Sequence, residues 1–250
     1  MTLVAIKLPN MAVAALTLLF VSWPRWESWP YLLASTAVTC GYYVCLLRAY
    51  HANDFNIAYP IARGAAPALT LALSVAFTAD KLTPGAALGA AIVSLGICAL
   101  ALRPDLTRQN LAGLLWALGV GATIAIYTVI DGIGARVSGD ALGYTAVLNF
   151  LTGLPVLAAA LHRHGRRCFN QLREGWLTSI VGGTMMFFAY AIVVFALTRA
   201  PIAPVAALRE TGVIFGAIIG AVMFKEKMAI RRIAASVVVA AGVAMIIAWR

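Results

Sequence analysis

The sequence predicts an all-α integral membrane protein of nine transmembrane helices, laid out as two inverted repeats of four and five helices. Three observations lead there. Of the 250 residues, 62% are hydrophobic and only 11% charged, whereas a soluble domain carries roughly 25% charged residues. The apolar residues fall in continuous runs rather than in alternation, which selects helices over an outer-membrane barrel. The chain also resembles itself at a fixed offset of 146 positions, placing Arg63 on Arg209.

The runs are Leu3–Ser22, Trp29–Arg48, Ala58–Thr78, Pro84–Leu102, Leu111–Asp131, Ala141–Leu161, Leu177–Leu197, Val205–Phe224 and Ile233–Trp249. Most approach the ~20 residues a bilayer crossing needs. The first carries Lys7 ahead of an apolar stretch and has no small-residue cleavage site, so it reads as a helix and not as a secretory leader. Trp23, Trp26 and Trp29 surround the first connection, as an interfacial aromatic belt would. Short connections rich in turn formers follow, among them Arg103-Pro-Asp and Val137-Ser-Gly-Asp. The longest, His162–Glu174, holds His162 and His164 beside four arginines and reads as a solvated basic patch instead of a metal site.

At the same offset, Asp80-Lys81 falls on Glu226-Lys227, Gly96 on Gly242 and Tyr42 on Phe188. Ala66, Thr70 and Ser74 fall on Gly212, Gly216 and Gly220, a small-residue seam suited to helix packing or to a homodimer contact. Five crossings separate the third run from the eighth, so the copies have opposite orientations. Inverted repeats place substrate sites at a pseudo-two-fold axis in the membrane plane. The first repeat spans residues 1–104 and the second 105–250; the first has no counterpart of Leu111–Asp131.

The blocks Tyr59-Pro-Ile-Ala-Arg63 through Thr83 and Ala207-Leu-Arg-Glu-Thr211 through Glu226-Lys227 resemble the EamA-like transporters of the drug/metabolite transporter superfamily. Units of that family end with a small-residue-rich helix, a Gly-Glu-like turn and a last helix with a mid-span glycine. Here the turns are Ala79-Asp80-Lys81 and Lys225-Glu226-Lys227, without the glycine, while Gly96 and Gly242 match the mid-span position. The resemblance implies ten helices in two five-helix halves, of which this chain lacks the first. It implies a transporter, often an exporter, of amino acids, other metabolites or drugs in the cell inner (plasma) membrane, with neither enzyme activity nor cofactor.

Arg63 and Arg209 are the leading candidates for solute binding. An arginine within a span costs at least ~2.5–3.5 kcal/mol on insertion scales, and a guanidinium grips a carboxylate or phosphonate-like anion bidentately. The plainer alternative is that each snorkels from a helix end. Glu210 is a candidate to carry a coupling proton or to neutralise either arginine; as neighbours on a helix, Arg209 and Glu210 point about 100° apart and need not pair. Tyr127 and Asp131, four residues apart, share a helix face, with Asp131 closing its helix. Tyr59, Trp116, Tyr144, Asn149 and Tyr190 are polar-tipped groups in or near spans. Asp80 and Glu226 read as structural acids at the start of the following helix.

The net charge of +10 is carried largely by connections, where it meets lipid headgroups and sets orientation, and no basic face points to nucleic acid. The charge rule favours a cytoplasmic N-terminus, and the resemblance the opposite. Cys40, Cys45, Cys98 and Cys168 lack metal-ligand spacing. An intramembrane enzyme would need a motif such as HExxH or GxSxG, and neither occurs. The partners expected are membrane lipid and a small-molecule solute. A truncated or non-transporting membrane partner protein is the alternative reading.

Overall fold

The computed structural model describes every residue except 1, 53–54, 79, 81–82, 100–107, 166–174, 213–214, 216–229 and 249–250. Among the described residues there are nine α-helices and no strand: α1 (Thr2–Thr17), α2 (Trp29–Ala52), α3 (Phe55–Phe77), α4 (Pro84–Ala99), α5 (Arg108–Val137), α6 (Ala141–His164), α7 (Trp176–Arg199), α8 (Ile202–Arg209) and α9 (Ile230–Ala248). A single 3-10 turn, Trp26–Ser28, precedes α2. Among the described residues, four stretches are long and apolar enough to cross a membrane: Trp26–Ala52, Ala112–Val137, Ala141–Arg163 and Trp176–Arg199.

Two boundaries differ from expectation in ways that bear on function. Asp131 does not close its helix, because α5 runs on to Val137. The extension is held by Arg136, whose Nε donates to the Leu197 carbonyl at 2.9 Å in the last turn of α7. The eighth run is not one uninterrupted helix either. α8 stops at Arg209, and the Glu210 and Thr211 amides donate to Ala207 and Leu208, each at 3.1 Å and only three residues back. Such a tightened turn inside an apolar run marks a break in regular α-geometry.

The chain divides into two compact units: Met1–Cys40 with Ile130–Arg199, and Gly41–Val129 with Ala200–Arg250. Each draws on both halves of the sequence, so the compact units do not coincide with the sequence repeats. In the first unit, α1 packs on α6. Val4 lies with Ala160, Met11 with Gly153 and Ala14 with Ala146, so the two helices are antiparallel. Asp140 caps the start of α6 by accepting the Leu142 amide at 2.9 Å. It follows Gly139, whose φ of 81° is left-handed backbone that glycine adopts without strain.

In the second unit, α4 and α9 cross antiparallel at a glycine pair. A Cβ on Gly89 would stand 2.7 Å from the Gly242 carbonyl oxygen, and one on Gly242 would stand 2.8 Å from that of Gly89. Further along, Gly96 faces Val238 and Val239. Helices approach this closely only where side chains are absent, the small-residue logic of packing in lipid. α3 and α8 also run opposite ways: Arg63 in α3 meets Glu210 just past α8, whereas Asp80 just past α3 meets Ile202 at the start of α8. Ala66, Thr70 and Ser74 are all buried on α3. Gly212 is exposed, and Gly216 and Gly220 lie outside the described residues.

Candidate functional site

The second unit gathers its charges at the turn after α8. Glu210 is completely buried and lies beside two guanidinium groups. Arg63 Nη1 donates to its Oε1 at 3.3 Å, and Arg63 Nε stands 3.3 Å from its Oε2. Arg209 Nε donates to Oε1, also at 3.3 Å, and Arg209 Nη1 reaches Thr128 Oγ1 on α5 at 3.4 Å. Neighbours along the chain therefore do pair, because the long arginine stem reaches round to the adjacent carboxylate. The Arg63 side chain keeps 28% of its surface exposed, while its Nε is buried.

Aromatic groups enclose this cluster. The Arg63 guanidinium lies 5.7 Å from the Tyr59 ring centre, a cation–π distance. Tyr42 and Tyr127 meet edge-on at 6.2 Å, and Tyr42 stands within the electrostatic reach of both Arg63 and Arg209. Trp116 is engaged instead by Arg48, whose guanidinium lies 4.8 Å above its ring. With α3 beginning at Phe55, Arg63 sits eight residues inside its helix, deeper than the apolar run suggests. A close approach of α3 to α5 at Gly121 holds it there, since a Cβ on Gly121 would stand 2.9 Å from the Ala62 carbonyl oxygen.

The first unit has a separate polar centre. Asp131 is completely buried. The Tyr144 hydroxyl donates to its Oδ1 at 3.0 Å, and the Tyr190 hydroxyl donates to its Oδ2. Gly134 makes room, for a Cβ there would stand 2.6 Å from the Tyr144 hydroxyl. Tyr127 and Asp131 share a face of α5 yet serve different clusters. Asn149 is turned into packing, donating to the Thr145 carbonyl of its own helix at 2.9 Å.

Some polar groups escaped the sequence reading. Thr128 holds Arg209, and Lys7, buried in α1, donates to Thr152 at 3.4 Å. Asn10, also buried, donates to the Gly183 carbonyl at 3.3 Å. The spacing of Lys7 and Asn10, three apart within an apolar run, is the pattern that exposes them. Asp80 does complement a helix start, though not that of α4: its Oδ2 accepts the Ile202 amide of α8 at 2.8 Å, and Thr83 serves α4 by accepting the Ala86 amide. Glu226 lies outside the described residues. No group of residues able to hold a metal ion occurs among those described.

Long apolar helices with ionised groups buried among them define a multi-pass membrane protein built around polar sites. The fold is shared with solved proteins: one crystal structure matches at a TM-score of 0.73 and 16% identity, covering 98% of this chain and 85% of that chain. No curated protein sequence matches the chain. Residues 111–248 match the EamA-like transporter family. The chain belongs to that family, within the drug/metabolite transporter superfamily.

Proposed function

We propose that the protein is a secondary transporter of small organic solutes, polar or anionic metabolites or drugs, acting as an exporter in the cell inner membrane. It works by alternating access between two inverted repeats. The observation that carries this reading is the Arg63–Glu210–Arg209 cluster, where two antiparallel helices of corresponding sequence position meet. The offset of 146 positions also relates the first residue of α4, Pro84, to that of α9, Ile230. Antiparallel packing of α1 on α6, α3 on α8 and α4 on α9 supports inversion for three corresponding pairs.

Under that offset, Glu210 corresponds to Gly64. One carboxylate thus stands beside two guanidinium groups. A solute anion that reaches Arg63 meets a donor fork already oriented by Glu210 and Tyr59. Exchange of Glu210 for the solute on Arg63 would link binding to the turn that ends α8, and transporters place breaks in helical geometry at their sites.

The test is a screen of purified protein in proteoliposomes, with a panel of carboxylate, zwitterionic and neutral metabolites and drugs followed by mass spectrometry of the vesicle contents. Arg63→Ala and Arg209→Ala are expected to insert normally and to abolish movement of solutes that the wild type carries. Wild-type rates in both variants would remove the site assignment. If no solute of the panel crosses faster than in empty vesicles, the transporter reading gives way to a non-transporting partner.

A further inference from the structure

We infer that the α5–α6 turn and the end of α7 form a specific site for one anionic phospholipid, separate from the Arg63 cluster. A groove of about 660 Å³ opens on the first unit here, its lining including Arg136, Asp140, Phe188, Ile192, Phe195 and Arg199. Phe188, Ile192, Phe195 and Arg199 follow one another at helical spacing, so they form one stripe along α7 with a cation at its end. The three apolar members are far more exposed than core residues, Ile192 being 69% exposed. An exposed apolar stripe ending in a charge has the amphipathic pattern of a phospholipid, chain below and phosphate above.

The charges at the polar end are arranged to match. Arg136 is positioned by its bond to the Leu197 carbonyl, and the Arg199 guanidinium lies 5.2 Å from the Phe195 ring centre. Arg25 lies across the turn: a Cβ on Gly139 would stand 2.9 Å from its Nε. Arg136 and Arg199 thus line the groove with one carboxylate, Asp140, which is already engaged by the amide at the start of α6, and Arg25 adds a third guanidinium beside the turn. Basic pockets beside transmembrane helices bind anionic headgroups in this way.

Depth agrees with the assignment. The Arg25 amide donates to the Ser138 carbonyl at 2.9 Å, which fixes the Trp26–Ser28 turn beside the α5–α6 turn. Trp23 and Trp26, both strongly exposed, flank Arg25 there. Exposed tryptophans favour the headgroup layer, so the arginines stand at phosphate level and the α7 stripe lies among acyl chains. A soluble anion would use the arginines alone; a bound phospholipid uses the arginines and the stripe together.

Native mass spectrometry of the purified full chain, given equimolar phosphatidylglycerol and phosphatidylcholine in detergent, tests the proposal. The wild type is expected to retain phosphatidylglycerol in preference. Arg199→Ala should weaken that retention about fivefold, and adding Arg25→Ala should weaken it roughly 25-fold. Arg199→Lys, which keeps the charge, should retain most of it. Ile192→Trp, which fills the stripe and leaves the charges alone, should lower retention of phosphatidylglycerol. Equal retention of the two lipids by the wild type, or unchanged retention in the double arginine variant or in Ile192→Trp, would overturn the proposal. So would displacement of the lipid by excess inorganic phosphate or glycerol phosphate, which would assign the arginines to a soluble anion.

Discussion

Replacing Glu210 by Gln keeps the shape of the side chain but removes the anion between Arg63 and Arg209. Breaking a fully buried ion pair by neutralising one partner costs about 3–5 kcal/mol. Arg63 and Arg209 keep 28% and 13% of their side-chain surface exposed, so solvent screens part of the orphaned charge. That brings the expected loss to roughly 2–3 kcal/mol. For a chain of this length, such a loss lowers the melting temperature by about 4–12 °C. Tryptophan fluorescence during thermal unfolding in detergent measures it. Combining Glu210→Gln with Arg209→Gln should recover part of the loss, because the second change removes one of the stranded cations. A single variant that melts with the wild type, or a double variant whose losses simply add, would refute the account of Glu210 as the shared counter-ion.

Three further outcomes follow from the packing. Gly242→Ala should destabilise by about 1–3 kcal/mol through overpacking, and Gly89→Ala should add little to it, since one separation of α4 from α9 relieves both clashes; a double-mutant cycle in thermal unfolding decides. Tyr144→Phe should cost about 1.5–3 kcal/mol, by withdrawing a donor from the buried Asp131 carboxylate, as read from the same melting assay. Asp140→Ala should cost about 1 kcal/mol through loss of the α6 cap, visible as faster amide hydrogen exchange in the first turn of that helix.

The apolar runs were legible in the sequence because lipid demands continuous hydrophobicity, and all nine described helices begin within about three residues of their runs, in keeping with the ordinary uncertainty of helix ends. The full reach of α5 was less so: Gly132 and Gly134 weaken the helical pattern, and the support for the last turns comes from Leu197, far along the chain. The break after Arg209 left no mark in composition, since Leu208-Arg-Glu-Thr is an ordinary helical string. Arg63, Arg209 and Glu210 stood out because charges in apolar runs are rare. Their mutual arrangement did not, for the Arg63–Glu210 contact joins positions 147 residues apart. The offset of 146 positions marked the repeat but could not choose Ile202 as the partner of Asp80, a choice made by tertiary packing.

The shortest helix has a mechanical implication. α8 has only eight residues, or about 12 Å of rise. One tip is fastened to Asp80 and the other adjoins Arg63 through Glu210. A rod so short bends little, so a displacement at its charged tip is delivered almost whole to the opposite tip. It is a stiff lever with a latch at each end, and releasing either latch would free the rod to tilt about the other.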